Sequence, residues 1–271
     1  MTQGQPVSSY FDRQASFWRD VYDAHEDVYS DIHRQRRDWT LATVESQEPV
    51  TETTALDLGV GAGGLAVALA ARGLRVVGVD RSAQMLELTK ALAATDEDTD
   101  KHVMPVRADA GTLPFRDDSF PLVIGLGLLP WMDSPAKVLG EMARVVSPGG
   151  RVIFSADNSR RLTHLLDPLF NPWLAPARRF VSVRVLGRAR PTRVRARSHT
   201  LGEIRRLCRD AGLEIVDCQP LGFGPFTVLR HRCLPDRAGR TLNHVLQRRA
   251  SRGAPVLRTR GCQYLVLARR G

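Results

Sequence analysis

Asp57-Leu58-Gly59-Val60-Gly61-Ala62-Gly63-Gly64 decides the fold of this 271-residue chain. Ala55 to Leu58 reads as a short buried strand cut off by the first glycine. Leu65 to Arg72 reads as a helix, with Gly73 as its stop. Glycines between strand and helix allow positive φ and close approach of the backbone to a ligand. The helix start behind them offers free N–H groups and a positive dipole end, which suit a carboxylate or a phosphate. Gly59, Gly61 and Gly64 also satisfy the dinucleotide pattern G-x-G-x-x-G, with Asp80 where a ribose-binding acid stands. The loop alone leaves two ligand classes open.

Three neighbouring features choose between them. Asp57 lies two residues before the first glycine. A carboxylate there attracts an amino-acid ammonium and repels a diphosphate. Asp80 is followed by Arg81-Ser82-Ala83-Gln84-Met85, which sets Met85 one turn into the next helix, where it can pack on an adenine face. Asp109, at the end of a third strand, can accept a hydrogen bond from an adenine amino group.

Outward from the loop the pattern alternates. Strands are expected over 75–80, 103–108, 120–128, 151–156, 213–218 and 263–268. Helices are expected over 83–94, 135–146 and 201–211, and the acidic stretch 95–100 reads as a solvated loop. With the first strand this predicts an α/β, Rossmann-like, doubly wound sheet of seven mostly parallel strands. Ligand is expected at the carboxyl ends of the first strands.

Asp57 to Gly64, Asp80 to Met85, Asp109 to Phe115 and the turn Arg144 to Gly150 together resemble the successive motifs of class I S-adenosylmethionine-dependent methyltransferases. The resemblance covers about residues 50–157. It implies S-adenosylmethionine as cofactor, with the backbone at Gly59 and Gly61 on the methionine moiety and Asp57 near its ammonium. It further implies Asp80 on the ribose with Arg81 beside it, Met85 on the adenine, Asp109 and Ala110 at the adenine edge, and Leu126 by the amino group. Tyr10-Phe11-Asp12, Trp18 and Tyr22 resemble the opening of ubiquinone-type and magnesium-protoporphyrin-type O-methyltransferases. There an N-terminal helical pair closes over the cofactor and an arginine reaches its carboxylate, which implies a helical cap over 1–50 and a methyltransferase domain over 51–271 here. Arg37 or its neighbour Arg36 fills that place, an arginine fork being suited to a carboxylate.

Related O-methyltransferases often carry a histidine after the fourth strand, but Leu128 to Met132 holds none. His164 is the nominal catalytic base, chosen among His25, His33, His164, His199, His231 and His244. Tyr22, Trp131 and Phe223 are the expected walls of the acceptor pocket.

Two segments depart from a minimal fold. Residues 158–200 carry ten arginines and one acid, and 223–260 carry nine and one, so the net charge of +10 is concentrated there. If they face the pocket, the acceptor is anionic; if they face outward, they suit an anionic membrane surface and a lipophilic acceptor. Nucleic acid is disfavoured, since no RNA module or interleaved aromatics accompany the arginines. A non-catalytic cofactor-binding partner is the remaining alternative. Without an apolar run of about 18 residues or a signal-peptide pattern, a cytoplasmic protein is expected. No cysteine pair or histidine cluster has metal-ligand spacing.

Overall fold

The structure, a computed structural model, describes residues 11–13, 18, 27–46, 53–174, 176, 196–229 and 231–271. After helix α1 (Val28–Glu45), strands and helices alternate: β1 (Thr54–Leu58), α2 (Gly64–Ala70), β2 (Arg75–Asp80), α3 (Ala83–Ala93), α4 (Glu97–His102) and β3 (Val103–Arg107). There follow β4 (Phe120–Gly125), α5 (Pro135–Val145), β5 (Val146–Asp157), α6 (Leu162–Leu166), α7 (Leu201–Asp210) and β6 (Leu213–Leu221). A two-residue hairpin, β7 (Thr227–Val228) and β8 (His231–Arg232), precedes α8 (Asp236–Ser251) and β9 (Gln263–Arg270).

Seven strands form one sheet in the order β3-β2-β1-β4-β5-β9-β6. Only β9 runs antiparallel to its neighbours β5 and β6. The central strands read as continuous apolar runs because both faces are covered, as in other parallel sheets. Leu56, Leu58, Val123 and Phe154 face α5 and α7, meeting Leu139, Met142 and Ile204. Ala55, Leu122, Ile124 and Ile153 face the other way, toward Leu65 and Leu69 of α2, Leu86 of α3, and Leu41 and Val44 of α1. The order reverses between β1 and β4, the switch point at which such sheets bind ligand.

Two local expectations change. The acidic stretch is partly helical: Asp96 caps α4 by accepting from Thr99 N at 2.9 Å, and acids in its first turn suit the helix dipole. The Pro148-Gly149-Gly150 turn lies inside the assigned span of β5, not before it, because Phe120 pairs with Val146 across a register shift.

Helix α1 lies on α8 and on the loop after β6. Asn243 Nδ2 donates to Asp31 Oδ2 at 3.0 Å, while Asn243 Oδ1 accepts from Phe223 N at 2.8 Å. Glycines let the helix come close. A Cβ at Gly224 would stand 2.3 Å from Val28 Cγ1, and one at Gly222 2.7 Å from Ile32 Cγ1. The chain returning from the first insertion is fixed at the end of β5. His199 N donates to Asp157 O at 2.7 Å, and buried Asn158 donates from Nδ2 to Thr259 O and Gly261 O at 2.9 and 2.8 Å.

No helix among the described residues is long and apolar enough to cross a membrane.

Candidate active site

A cavity of about 420 Å³ opens along the carboxyl ends of the strands, from Asp109 beyond β3 to Gln263 at the start of β9. Its floor on one side is the glycine turn. Gly59, Gly61 and Gly63 have φ of +72°, +56° and +87°. At Gly63 the demand is doubled, since a Cβ there would lie 3.0 Å from Thr89 Cα. Gly59 N and Val60 N both donate to Val79 O, at 2.7 and 3.0 Å, which binds the turn to the end of β2.

Asp80 closes that end. Its Oδ2 accepts from Gly61 N at 3.1 Å and its Oδ1 from Ser82 N at 2.9 Å. Burial raises its pKa, while those N–H groups oppose the rise. Ser82 caps α3 at Met85 N, 3.1 Å away, and donates from its hydroxyl to Asp12 Oδ1. Met85 is buried and lines the cavity. Asp109 accepts from Gly111 N at 2.9 Å through Oδ1, and its Oδ2 lies 3.5 Å from Arg81 Nη1. Gly59, Gly61, Asp80, Arg81, Met85, Asp109, Ala110 and Leu126 thus line one continuous wall.

Two opposite buried charges make no side-chain hydrogen bond among the described residues: Arg36, which lines the cavity, and Asp57, which lies behind the glycine turn and is not among the lining residues. Asp57 is 3% exposed and makes no hydrogen bond or ion pair among the described residues. Burial first, and the Asp80 carboxylate second, push its pKa up to about 7, with Arg36 opposing them. Arg36 is 5% exposed, its Nε has no hydrogen-bond partner among the described residues, and a Cβ on Gly127 would stand 2.9 Å from its Nη1. A buried charge left unpaired is costly, so such a pair calls for a ligand carrying both signs. An amino acid's ammonium and carboxylate fit that demand. A diphosphate would meet Asp57 with the wrong sign.

Several expected residues stand elsewhere. Arg36, not Arg37, lines the cavity, because it shares the helix face of Ile32 and His33, one turn earlier. Arg37 is not among the lining residues, and its Nε lies 3.4 Å from Asp38 Oδ1. His164 is not among the lining residues; it stacks on Phe170 with ring centroids 5.0 Å apart and accepts from Arg161 Nε at 2.8 Å. Phe223 is fully buried off the wall, its backbone held by Asn243, and Gly224 and Pro225 line the cavity instead. Trp131 does line it, on the 3-10 turn Leu129–Trp131. Tyr10, Tyr22, His25 and most of the arginines of 178–197 lie outside the described residues.

The other end of the cavity is aromatic and polar. Phe11 meets Trp131 edge-on at 5.2 Å and Trp18 at 5.7 Å, and Trp18 meets His33 at 5.8 Å. His33 Nδ1 donates to Tyr29 O at 2.9 Å, and burial first and Arg36 second lower its pKa to about 3, so the ring is neutral. Asp157, Gln263 and Arg161 complete this end. Sequence reasoning missed Asp157 and Gln263. The signal was an acid closing a buried strand, in Ser155-Ala156-Asp157, the position Asp80 holds on β2.

Among the described residues no group of three or more His, Cys, Asp or Glu side chains is placed to hold a metal ion.

Residues 56–154 match a protein-family model described as a methyltransferase domain. The chain is 40% identical over 148 residues to the demethylmenaquinone methyltransferase of Clavibacter sepedonicus, a stretch covering 54% of this chain and 56% of that protein. The match therefore spans little more than half of that relative's length. It is 28% identical over 188 residues to the ubiquinone biosynthesis O-methyltransferase of Thiobacillus denitrificans, covering 69% and 75% of the two chains. In fold it resembles the magnesium protoporphyrin IX methyltransferase of Synechocystis, with a TM-score of 0.65 at 17% identity over 99% and 100% of the two chains.

Proposed function

We propose that this chain, which carries a methyltransferase domain over residues 56–154, transfers the methyl group of S-adenosylmethionine to a hydroxyl of a small molecule. The observation that carries the reading is the pair of opposite buried charges without side-chain hydrogen bonds, Asp57 just before the glycine turn and Arg36 on α1. Asp57 would hold the ammonium and Arg36 the carboxylate. Asp80 would take the ribose hydroxyls, while Met85, Asp109 and Ala110 would face the adenine. Bound there, S-adenosylmethionine supplies an activated methyl group, a reactivity that belongs to the cofactor.

The protein's share is to hold the acceptor in line, exclude water and take up a proton. Holding two reactants in line can supply about 7–11 kcal/mol in favourable systems. The aromatic end formed by Phe11, Trp18 and Trp131 suits a flat, apolar acceptor, consistent with a quinone-like ring. We read residues 1–50 as the cap over that acceptor and 51–271 as the domain beneath it. Leu166, Trp173 and Leu174 are exposed at 63%, 77% and 43%, just before the arginine-rich stretch 178–197. Apolar residues beside basic ones suit contact with an anionic lipid surface, and so a lipophilic acceptor.

Calorimetry tests the cofactor. S-adenosylmethionine and its demethylated product, S-adenosylhomocysteine, should both bind, and NAD should not. Uptake of NAD with indifference to both sulfur compounds would overturn the reading. Incubation with methyl-labelled cofactor and a metabolite extract, followed by mass spectrometry for one added methyl, then identifies the acceptor.

A further inference from the structure

The acceptor end of the cavity holds a carboxylate that the cofactor reading does not use. Asp157 ends β5 opposite Gln263 of β9, and the two are register partners across the antiparallel pair. Gln263 Nε2 donates to Asp157 Oδ1 at 3.0 Å. Asp157 Oδ2 makes no hydrogen bond among the described residues, and Gln263 Oε1 is buried without a partner. Exchanging the amide's two ends would set its oxygen against the carboxylate, so the orientation is chemically required. Both free atoms are acceptors. What they lack is a donor.

The pair is rigidly held. Asn158, the next residue, is fully buried and spends its side chain on Thr259 O, Gly261 O and Arg160 N, at 2.9, 2.8 and 2.8 Å. Groups from every packed element face Asp157: Arg36 of α1, Arg161 before α6, His199 before α7, and Gln263 and Cys262 at β9. Arg161 is itself oriented by His164, which gives that histidine a place one step removed from the cavity.

We propose that Asp157 and Gln263 form the acceptor's hydroxyl subsite, with Asp157 Oδ2 taking the proton of a neutral aromatic alcohol. This rests on the methyltransferase reading above. A carboxylate acceptor is disfavoured, since it would bring a third set of acceptor oxygens to atoms that already want a donor. An aromatic alcohol fits, because its ring meets Trp131 and Trp18 while its O–H meets Oδ2. The O–H bond breaks, the proton goes to Asp157, and the freed electron pair forms the bond to the methyl carbon. The methyl–sulfur pair stays on sulfur, leaving a neutral thioether, and Asp157 later returns its proton to solvent. Arg161 stabilises the oxyanion through space. Burial raises the Asp157 pKa, which moves a carboxylate toward the range useful to a base near neutral pH.

The test uses the full chain saturated with S-adenosylhomocysteine and titrated with catechol or benzoate. Wild type should bind catechol and ignore benzoate. Asp157→Asn should weaken catechol about tenfold while S-adenosylhomocysteine affinity stays within about twofold. With S-adenosylmethionine, its transfer to catechol should fall by about 10²–10⁴ and lose the low-pH limb of the rate profile. Gln263→Leu keeps the carboxylate, and should weaken catechol about threefold with the limb retained. It carries the test if Asp157→Asn no longer holds the cofactor product. Equal catechol binding by wild type and both variants, a preference for benzoate, or no catechol binding by the loaded wild type each overturns the proposal. Failure of wild type to bind S-adenosylhomocysteine at the first step refutes the cofactor reading instead.

Discussion

The two ends of the cavity are built in opposite ways. The cofactor end comes from consecutive strand–turn–helix units: Asp57 lies near the end of β1 with the glycines after it, Asp80 ends β2 with Met85 in the helix after it, and Asp109 follows β3. Its side chains are tied to one another by short backbone bonds, such as Gly61 N and Ser82 N to Asp80. The acceptor end gathers Phe11, His33, Trp131, Asp157 and Gln263, which span almost the whole sequence. Apart from Arg36, which α1 brings, the cofactor end draws only on the first four strands and the turns that follow them. The acceptor end exists only when β9 has paired with β5 and α1 has docked.

The largest effect should come from breaking the local end. Asp80→Ala removes the acceptor for two backbone N–H groups as well as the proposed ribose partner. S-adenosylhomocysteine should then bind about 100-fold more weakly in calorimetry. Near-normal affinity would mean the two ends have been assigned the wrong way round.

The junction between the ends is sharpened by paired substitutions in α1. Arg36→Met should weaken S-adenosylhomocysteine about 30-fold, since a charge-assisted fork is lost from a buried site. Arg37→Met should change it less than about twofold. Equal losses would show that the helix turns differently on the sheet.

A smaller effect separates stability from binding. The Asp57 pKa is raised to about 7 in the unliganded fold, from an ordinary value of 3.8. The stability tied to this group is therefore full below about pH 4 and is lost as pH rises through about 7. Asp57→Asn should then raise the melting temperature of the unliganded protein at pH 8, by about 2–4 °C for each kcal/mol recovered, with little gain at pH 4. The same variant should bind S-adenosylhomocysteine more weakly. A lower melting temperature at pH 8 would reveal a partner for Asp57 in the free protein.

The contrast also governs what could be read from the chain alone. The seven strands, and the residues from Gly59 to Ala110 that line the cavity at their ends, were legible because each motif is a few residues long and its period changes where strand meets helix. Met85 could be placed one turn into α3 because Ser82 is a recognisable cap. Arg36 and Arg37 could not be separated, since adjacent arginines differ only in which face the docked helix presents. Asp157 and Gln263 were silent for another reason. They are 106 residues apart, and only the antiparallel return of β9 makes them neighbours. His164 illustrates the reverse error: a histidine in an insertion attracts notice, yet its ring is committed to Phe170 and Arg161.

The missing side chains at Gly222, Gly224 and Gly239 set how closely the first helix sits. Val28 fills the hollows at Gly224 and Gly239, and Ile32 the one at Gly222. Any larger residue there acts as a wedge, lifting the helix that carries His33 and Arg36 away from the strand ends. The bore of the cavity can thus be adjusted from three positions that bear no reactive group, and Gly59, Gly61 and Asp80, which no contact joins to these glycines, keep their places.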